Sequence, residues 1–160
     1  MSGRCGLTLV ELVVTVTILA ILASAIVPLS QMTARRTREI ELKRNLRTIR
    51  VAIDDFKKAY DKAIDDKKIV AVQNRSGYPE SLKQLVEGYD FGGAYPDKKK
   101  FLRRIPADPF NPPKPGADPE WGLRSYVDKP ETSTWGGEDV YDVYSLHEGT
   151  AIDGTNYKDW

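Results

Sequence analysis

The chain has 160 residues, and 24 Lys or Arg side chains against 23 Asp or Glu give it a formal net charge of +1, which indicates no polyanionic partner. Cys5 is the only cysteine, so a disulfide within one chain is excluded. This length leaves room for one modest domain and an anchor.

An apolar run follows the N-terminus, from Leu7 to Leu29, and Glu11 is its only charged residue. As a helix at about 1.5 Å per residue, the run would reach roughly 34 Å and cross a bilayer core about 30 Å thick. A cleaved secretory signal would have a shorter apolar part that ends in a small-residue cleavage site. We therefore expect a membrane-spanning helix.

Glu11 calls for a positively charged partner, because a carboxylate in the middle of a membrane span costs about 2.5 to 3.5 kcal/mol. Arg4 is seven residues away and would lie on a different helix face. If the chain were cut after Gly6, the α-amine of Leu7 in one subunit could neutralise Glu11 of its neighbour in a staggered helical bundle. The carboxylate therefore favours self-assembly over a plain signal anchor.

The segment RCGLTLVELVV resembles the prepilin peptidase site of type IV pilins and type II secretion pseudopilins. In that family a short basic leader ends in glycine, an apolar residue follows, and glutamate is fifth in the mature chain. Here Cys5 replaces the usual Lys or Arg, and Leu7 replaces the usual Phe. The resemblance implies cleavage between Gly6 and Leu7, N-methylation of Leu7, and roles in assembly for Glu11 and Pro28.

The resemblance also implies a domain organisation and a location. Residues 1–6 would be a cleaved leader, 7–29 a transmembrane and filament-core helix, and 30–160 a periplasmic globular domain that includes the amphipathic half of the helix. The protein would be a single-pass inner-membrane protein with its C-terminal domain in the periplasm. The positive-inside rule alone favours the opposite orientation, because seven cations follow the span: Arg35, Arg36, Arg38, Lys43, Arg44, Arg47 and Arg50. We give precedence to the motif, since a dedicated peptidase reads it.

Beyond the span, the helix is predicted to continue to about Asp66. Pro28 cannot donate a hydrogen bond to the carbonyl of Ser24, so we expect a kink or a melted turn there. An apolar stripe at intervals of three and four residues is predicted to pack in the core. It comprises Leu42, Leu46, Ile49, Ile53, Phe56, Tyr60 and Ala63.

The second half of the chain predicts short elements. Residues 76–88, SGYPESLKQLVEG, indicate a turn and a short helix, and GGAYPDKKK indicates a polar loop. Six prolines in residues 101–122 predict an extended loop. Residues 123–128 and 139–146 are predicted strands joined by a hairpin loop. The fold class is α+β, with a long N-terminal helix packed on a small antiparallel sheet.

This order of elements is similar to that of the major pseudopilin of type II secretion, as are the segments GYP, IPADPFNPP and YSLHEGTAIDGTNYKDW. The resemblance implies a homo-oligomeric filament subunit that drives protein export across the outer membrane. Its partners would be prepilin peptidase, an inner-membrane assembly platform with its ATPase, minor pseudopilins and the outer-membrane secretin. Type IV pilins usually close their C-terminal region with a disulfide, which this chain cannot form.

Pseudopilins of this group commonly hold calcium in the loop after the YSL strand. Glu148, Asp153, Asn156 and Asp159 could supply oxygen ligands, so calcium is the one cofactor considered. Asp153-Gly154 is equally typical of a plain turn.

No enzymatic activity is expected. His147 is the single histidine and is predicted to be solvated, and the sequence has neither GxxxxGK nor GxGxxG. Residues 35–50 are more typical of a solvated helix face than of a nucleic-acid site. The alternatives are a type IV pilus pilin and a signal-anchored periplasmic binding domain, the second of which would not need Glu11 or the Gly6-Leu7 bond.

Overall fold

The computed structural model describes residues 8–72 and 75–160, except the side chains of residues 25–29. In these residues the elements are helix α1 (Leu9–Asp65), helix α2 (Leu82–Glu87), strands β1 (Gly122–Arg124) and β2 (Asp142–Tyr144), and a C-terminal 3₁₀ turn (Tyr157–Asp159). The chain divides into two compact units, Met1–Arg38 and Glu39–Trp160. The α+β class is confirmed.

Helix α1 begins and ends close to the predicted limits. After Asp65 the chain reverses through Lys67, whose φ is 55°, and the amides of Lys68 and Ile69 donate to the carbonyl of Ala63. The α-helix continues through Pro28, so the prediction of a melted turn there is wrong, while the alternative prediction of a kink stays a prediction. A proline removes one donor, and the hydrogen bonds of the flanking residues are sufficient to keep a long helix continuous.

In the described residues of the N-terminal unit, large apolar side chains are exposed. Their exposed fractions run from 50% at Val14 to 77% at Leu9. Over the part of the chain that the structure describes, no helix is both long and apolar enough to cross a membrane. The predicted span of residues 7–29 stays a prediction.

The predicted apolar stripe forms the core of the unit from Glu39 to Trp160. Six of its seven residues are at most 2% exposed, and Tyr60 is half-buried against them. The ring of Phe56 lies 5.4 to 5.5 Å from those of Tyr89, Phe91 and Phe101. The residues on either side of the predicted polar loop, residues 92–100, therefore contribute aromatic side chains to the core.

Strands β1 and β2 pair antiparallel, with Leu123 opposite Val143. Both are shorter than predicted, and β2 does not alternate, because Val143, Tyr144 and Ser145 are all buried. The ring of Tyr144 lies against Gly122, and the buried Ser145 hydroxyl donates to the Asp108 carboxylate at 2.6 Å. Burial on both faces explains why the period of two fails.

The proline-rich segment is confirmed as a loop over residues 101–121, which contain no helix or named strand, and its last residue, Gly122, begins β1. The side-chain amide of Asn45, on α1, donates to the carbonyl of Ala107 at 2.9 Å. The indole of Trp121 donates to the carbonyl of Pro106, also at 2.9 Å. Helix α2 is confirmed, with Leu82 and Leu85 buried.

Candidate functional site

The N-terminal end of α1 is closed by Thr8. Its hydroxyl oxygen accepts a hydrogen bond from the backbone N–H of Glu11 at 3.2 Å, and its carbonyl accepts from Leu12 at 3.0 Å. Thr8 is therefore the N-cap, and Glu11 occupies the third helical position of the sequence T-x-x-E, the capping-box pattern.

This position gives Glu11 a role within its own chain. A carboxylate in the first helical turn is stabilised by the positive end of the helix dipole and balances the free N–H groups there. The sequence reasoning missed this role, although T-x-x-E ahead of an apolar run is its usual signal. Gly6 and Leu7 lie outside the described residues, and cleavage between them would leave Leu7 alone in front of the cap.

The predicted assembly residue Pro28 lies within α1, in the stretch whose side chains the structure does not describe. The polar side chains of α1 that contact the C-terminal segment lie further along the helix, between Glu39 and Arg50.

Glu39 is 9% exposed and holds that segment by direct hydrogen bonds. Its Oε1 atom accepts from the backbone N–H of Ile152 at 2.9 Å and from the hydroxyl of Tyr157 at 2.8 Å. A buried carboxylate with such donors is satisfied, so Glu39 fixes the loop before the 3₁₀ turn onto α1.

Two cations on α1 complete this arrangement, which we call the C-terminal clamp (Glu39, Lys43 and Arg50). The ammonium of Lys43 lies 3.9 Å from the ring centroid of Trp160. Arg50 forms an ion pair with Asp142 at 2.6 Å and donates to the carbonyl of Trp160 at 2.6 Å. Sequence analysis assigned both cations to a solvated helix face, and the structure instead gives them specific partners.

The four predicted calcium ligands are engaged differently. Asp153 accepts hydrogen bonds from the hydroxyl and the amide of Thr155, and these hold the pKa of Asp153 below its ordinary value of 3.8. Asp159 accepts from the side-chain amide of Asn156 at 3.0 Å, and Glu148 is exposed. In the described chain, no three His, Cys, Asp or Glu side chains form a group that could hold a metal. The calcium loop of Glu148, Asp153, Asn156 and Asp159 stays a prediction.

His147 is not simply solvated, as the sequence predicted. Its ring is half-buried and stacks on that of Phe110, with centroids 5.3 Å apart. The stacking gives the histidine a packing role.

A comparison with protein-family models decides the interpretation of the N-terminus. Residues 1–27 match the prokaryotic N-terminal methylation motif. The chain carries a prepilin-type N-terminus. Comparisons with curated proteins and with solved structures found no match.

The methylation motif supports a type IV pilin-like subunit that is processed by prepilin peptidase and assembles into a filament. It includes the predicted cleavage site at Gly6 and Leu7, the N-cap Thr8 and the carboxylate Glu11. Of these, Thr8 and Glu11 are described by the structure, which places them together at the start of α1.

Proposed function

We propose that the chain is a structural subunit of a type II secretion pseudopilus. The observation that carries this proposal is a methylation motif at the start of one continuous α-helix, Leu9–Asp65. The C-terminal half of that helix contributes its buried side chains to the core of a small α+β domain. Prepilin peptidase would cut after Gly6, and the mature chain, anchored in the inner membrane, would polymerise into a periplasmic filament that drives proteins through the outer-membrane secretin.

The C-terminal clamp supports the pseudopilin over the type IV pilus pilin, which shares the N-terminal motif. The only cysteine lies in the leader, so the C-terminal region of the mature chain has no disulfide to close it. Glu39 and Arg50 hold that region through hydrogen bonds and an ion pair instead. The domain therefore needs no disulfide bond to hold its C-terminal region in place.

The proposed role is mechanical and involves no catalysis. Assembly would rest on Glu11, on the apolar side chains of α1 and on contacts between the globular domains. The inner-membrane platform and its ATPase would supply the energy, and minor pseudopilins would accompany this subunit.

The test is the intact mass of the protein after co-expression with prepilin peptidase and extraction from membranes. We expect loss of MSGRCG and gain of one methyl group. A Gly6→Val variant is the matched control, because a branched side chain at the scissile bond should block cutting and leave the full-length mass. An uncut wild-type chain, or a cut at another bond, would overturn the proposal.

Co-expression with the full assembly machinery separates the proposal from a signal-anchored binding domain. A pseudopilin should be recovered as sheared fibres, whereas a binding domain should remain monomeric in the membrane. Fibre yield is measured by sedimentation and electron microscopy.

A further inference from the structure

A cavity of about 520 Å³ opens in the unit from Glu39 to Trp160. Four tyrosine rings line it, those of Tyr60, Tyr78, Tyr89 and Tyr126. Burial is the main cause that raises the pKa of Tyr78 and of Tyr89, so these two phenols stay neutral at physiological pH. The tyrosine part of the wall therefore presents π-faces and uncharged hydroxyl groups.

Three carboxylates and one cation, Arg75, also line this cavity, so its lining is acidic on balance and we call the whole site the acidic cavity. Glu80 forms an ion pair with Arg75 at 2.7 Å. Asp139 is 7% exposed and accepts hydrogen bonds from the amide of Tyr126 and the hydroxyl of Ser76. Across the residues that the structure describes, no Lys or Arg forms an ion pair with Asp139 or with the exposed Glu138.

The acidic cavity is therefore suited to a cation with an apolar stem. Asp139 is satisfied by hydrogen bonds but, like Glu138, has no Lys or Arg ion-pair partner in the described chain, so a cation that enters the cavity gains electrostatic energy from both carboxylates. Tyrosine faces attract guanidinium and ammonium groups through their quadrupoles. Arginine meets both requirements, because its planar head stacks on rings and donates to carboxylates.

A matching surface lies on the exposed side of α1. Ile40 and Val51 are 62% and 50% exposed, and the exposed Arg44 and Arg47 lie between them. Spacings of four, three and four residues place all four on one helical face, opposite the buried stripe. Within the described chain neither arginine has an ion pair, unlike Arg50 in the C-terminal clamp. We call this set the arginine face.

We propose that the acidic cavity of one copy receives the arginine face of a second copy, with the guanidinium of Arg44 or Arg47 against Asp139 and Glu138. A chain cannot satisfy its own cavity in this way, because Phe56 and Tyr60 line the cavity from the buried side of α1. The arginine face lies on the opposite side of that helix. Arg44 and Arg47 can therefore reach this cavity only in another copy of the chain.

This contact joins two different surfaces, so it is heterologous. A joined pair retains a free arginine face on one copy and a free cavity on the other, which allows open-ended addition of subunits. The inference rests on the proposed function, since it names the contact between globular domains in the filament.

The first test is charge reversal in the full chain, expressed with the assembly machinery. Glu138→Arg, and separately the double variant Arg44→Glu with Arg47→Glu, should lower fibre yield about tenfold or more while leader removal stays at the wild-type level. Combining all three changes should restore part of the fibre yield, because Arg at position 138 then faces Glu at positions 44 and 47 while Asp139 is unchanged. Glu131→Arg, at another exposed acidic position, is the matched control and should assemble normally.

If wild type and Glu138→Arg both form fibres in normal yield, the inference is overturned and the proposed function still stands. The charge pairing would also be overturned if Glu138→Arg and the double variant both lost fibres and the combined variant recovered none.

A second measurement does not depend on fibres. The Arg47→Lys variant is prepared in detergent as a mixture of ¹⁵N-labelled and unlabelled chains. The mixture is then treated with a carbodiimide, which joins an amine directly to a carboxylate without a spacer. A link from position 47 to Glu138 between differently labelled chains supports the contact. Intermolecular links elsewhere without this one would overturn the inference, even if the chain formed no fibres and the proposed function failed.

Discussion

At the scale of single residues, Glu39 is the polar side chain on which the C-terminal segment most depends. It is buried, and one of its oxygens serves both the amide of Ile152 and the hydroxyl of Tyr157. Hydrogen bonds to a charged acceptor contribute about 1.5 to 3 kcal/mol, and donors left unpaired in a buried site add to the loss. Glu39 therefore contributes to stability mainly by accepting the hydrogen bonds of the Ile152 amide and the Tyr157 hydroxyl.

The variant Glu39→Ala should lower the free energy of unfolding by at least about 2 kcal/mol. Denaturant titration of the full chain in detergent, followed by tryptophan fluorescence, measures this change. Glu41→Ala is the matched control, because Glu41 is exposed on the same helix and should change stability by less than about 0.5 kcal/mol. Equal effects of the two variants would show that Glu39 does not fix the segment.

Asp128 gives the loop between the strands a dependence on pH. Its carboxylate accepts hydrogen bonds from the amides of Ser125 and Gly136, and these lower the pKa of Asp128 below the ordinary value of 3.8. A carboxyl group whose pKa is depressed on folding contributes stability above its unfolded value, and this contribution is lost as the pH falls toward the folded value.

The variant Asp128→Asn should therefore be less stable than wild type at pH 7, and the difference should shrink as the pH falls below about 4. Melting temperatures at pH 7, 4 and 3 measure this trend. Glu131→Gln, in the same loop, should show no such convergence. A constant difference between Asp128→Asn and wild type across this range would contradict the assignment.

At the scale of elements, local pattern predicted helices better than strands. The stripe from Leu42 to Ala63 has a helical period because one face of α1 packs on the core. Seven residues at this spacing support the same helix prediction. The β2 pattern failed because Tyr144 and Ser145 are buried on different sides by residues distant in sequence, Gly122 and Asp108. Alternation indicates a strand only where one face meets solvent.

The contact between Gly122 and Tyr144 holds β1 against β2. A Cβ atom added at residue 122 would lie 2.3 to 2.6 Å from the Tyr144 ring, too close for any side chain. Gly122→Ala should therefore destabilise the protein by about 1 to 3 kcal/mol through overpacking. Denaturant titration of the full chain measures the loss.

The double variant Gly122→Ala with Tyr144→Leu separates the clash from other effects of the substitution. Its stability should exceed that expected from adding the two single losses, because the smaller side chain leaves room for the added methyl group. A loss equal to that sum, or larger, would contradict the clash.

At the scale of the whole molecule, the N-terminal site was readable from sequence and the surfaces of the globular domain were not. The methylation motif lies in one short segment, so its residue types and spacing are sufficient to identify it. The C-terminal clamp joins Arg50 to Trp160, 110 residues apart, and the acidic cavity joins α1 to Asp139. The residues of such sites come together only after folding. The sequence around a single position such as Glu39 does not indicate that it belongs to one.

The last prediction concerns Glu11, whose two roles have different requirements. Neutralising the amine of a neighbouring Leu7 needs the charge, whereas capping α1 needs an acceptor that glutamine also provides. If neutralisation governs assembly, Glu11→Ala and Glu11→Gln should both be cut after Gly6 and both fail to form fibres, because incoming amines would be buried unpaired. Thr8→Val, which loses the cap and keeps the charge, should still assemble. Leader removal and sheared fibre yield are compared for the three variants. Normal fibres from Glu11→Gln, with loss in Thr8→Val and Glu11→Ala, would instead assign the carboxylate to the helix cap.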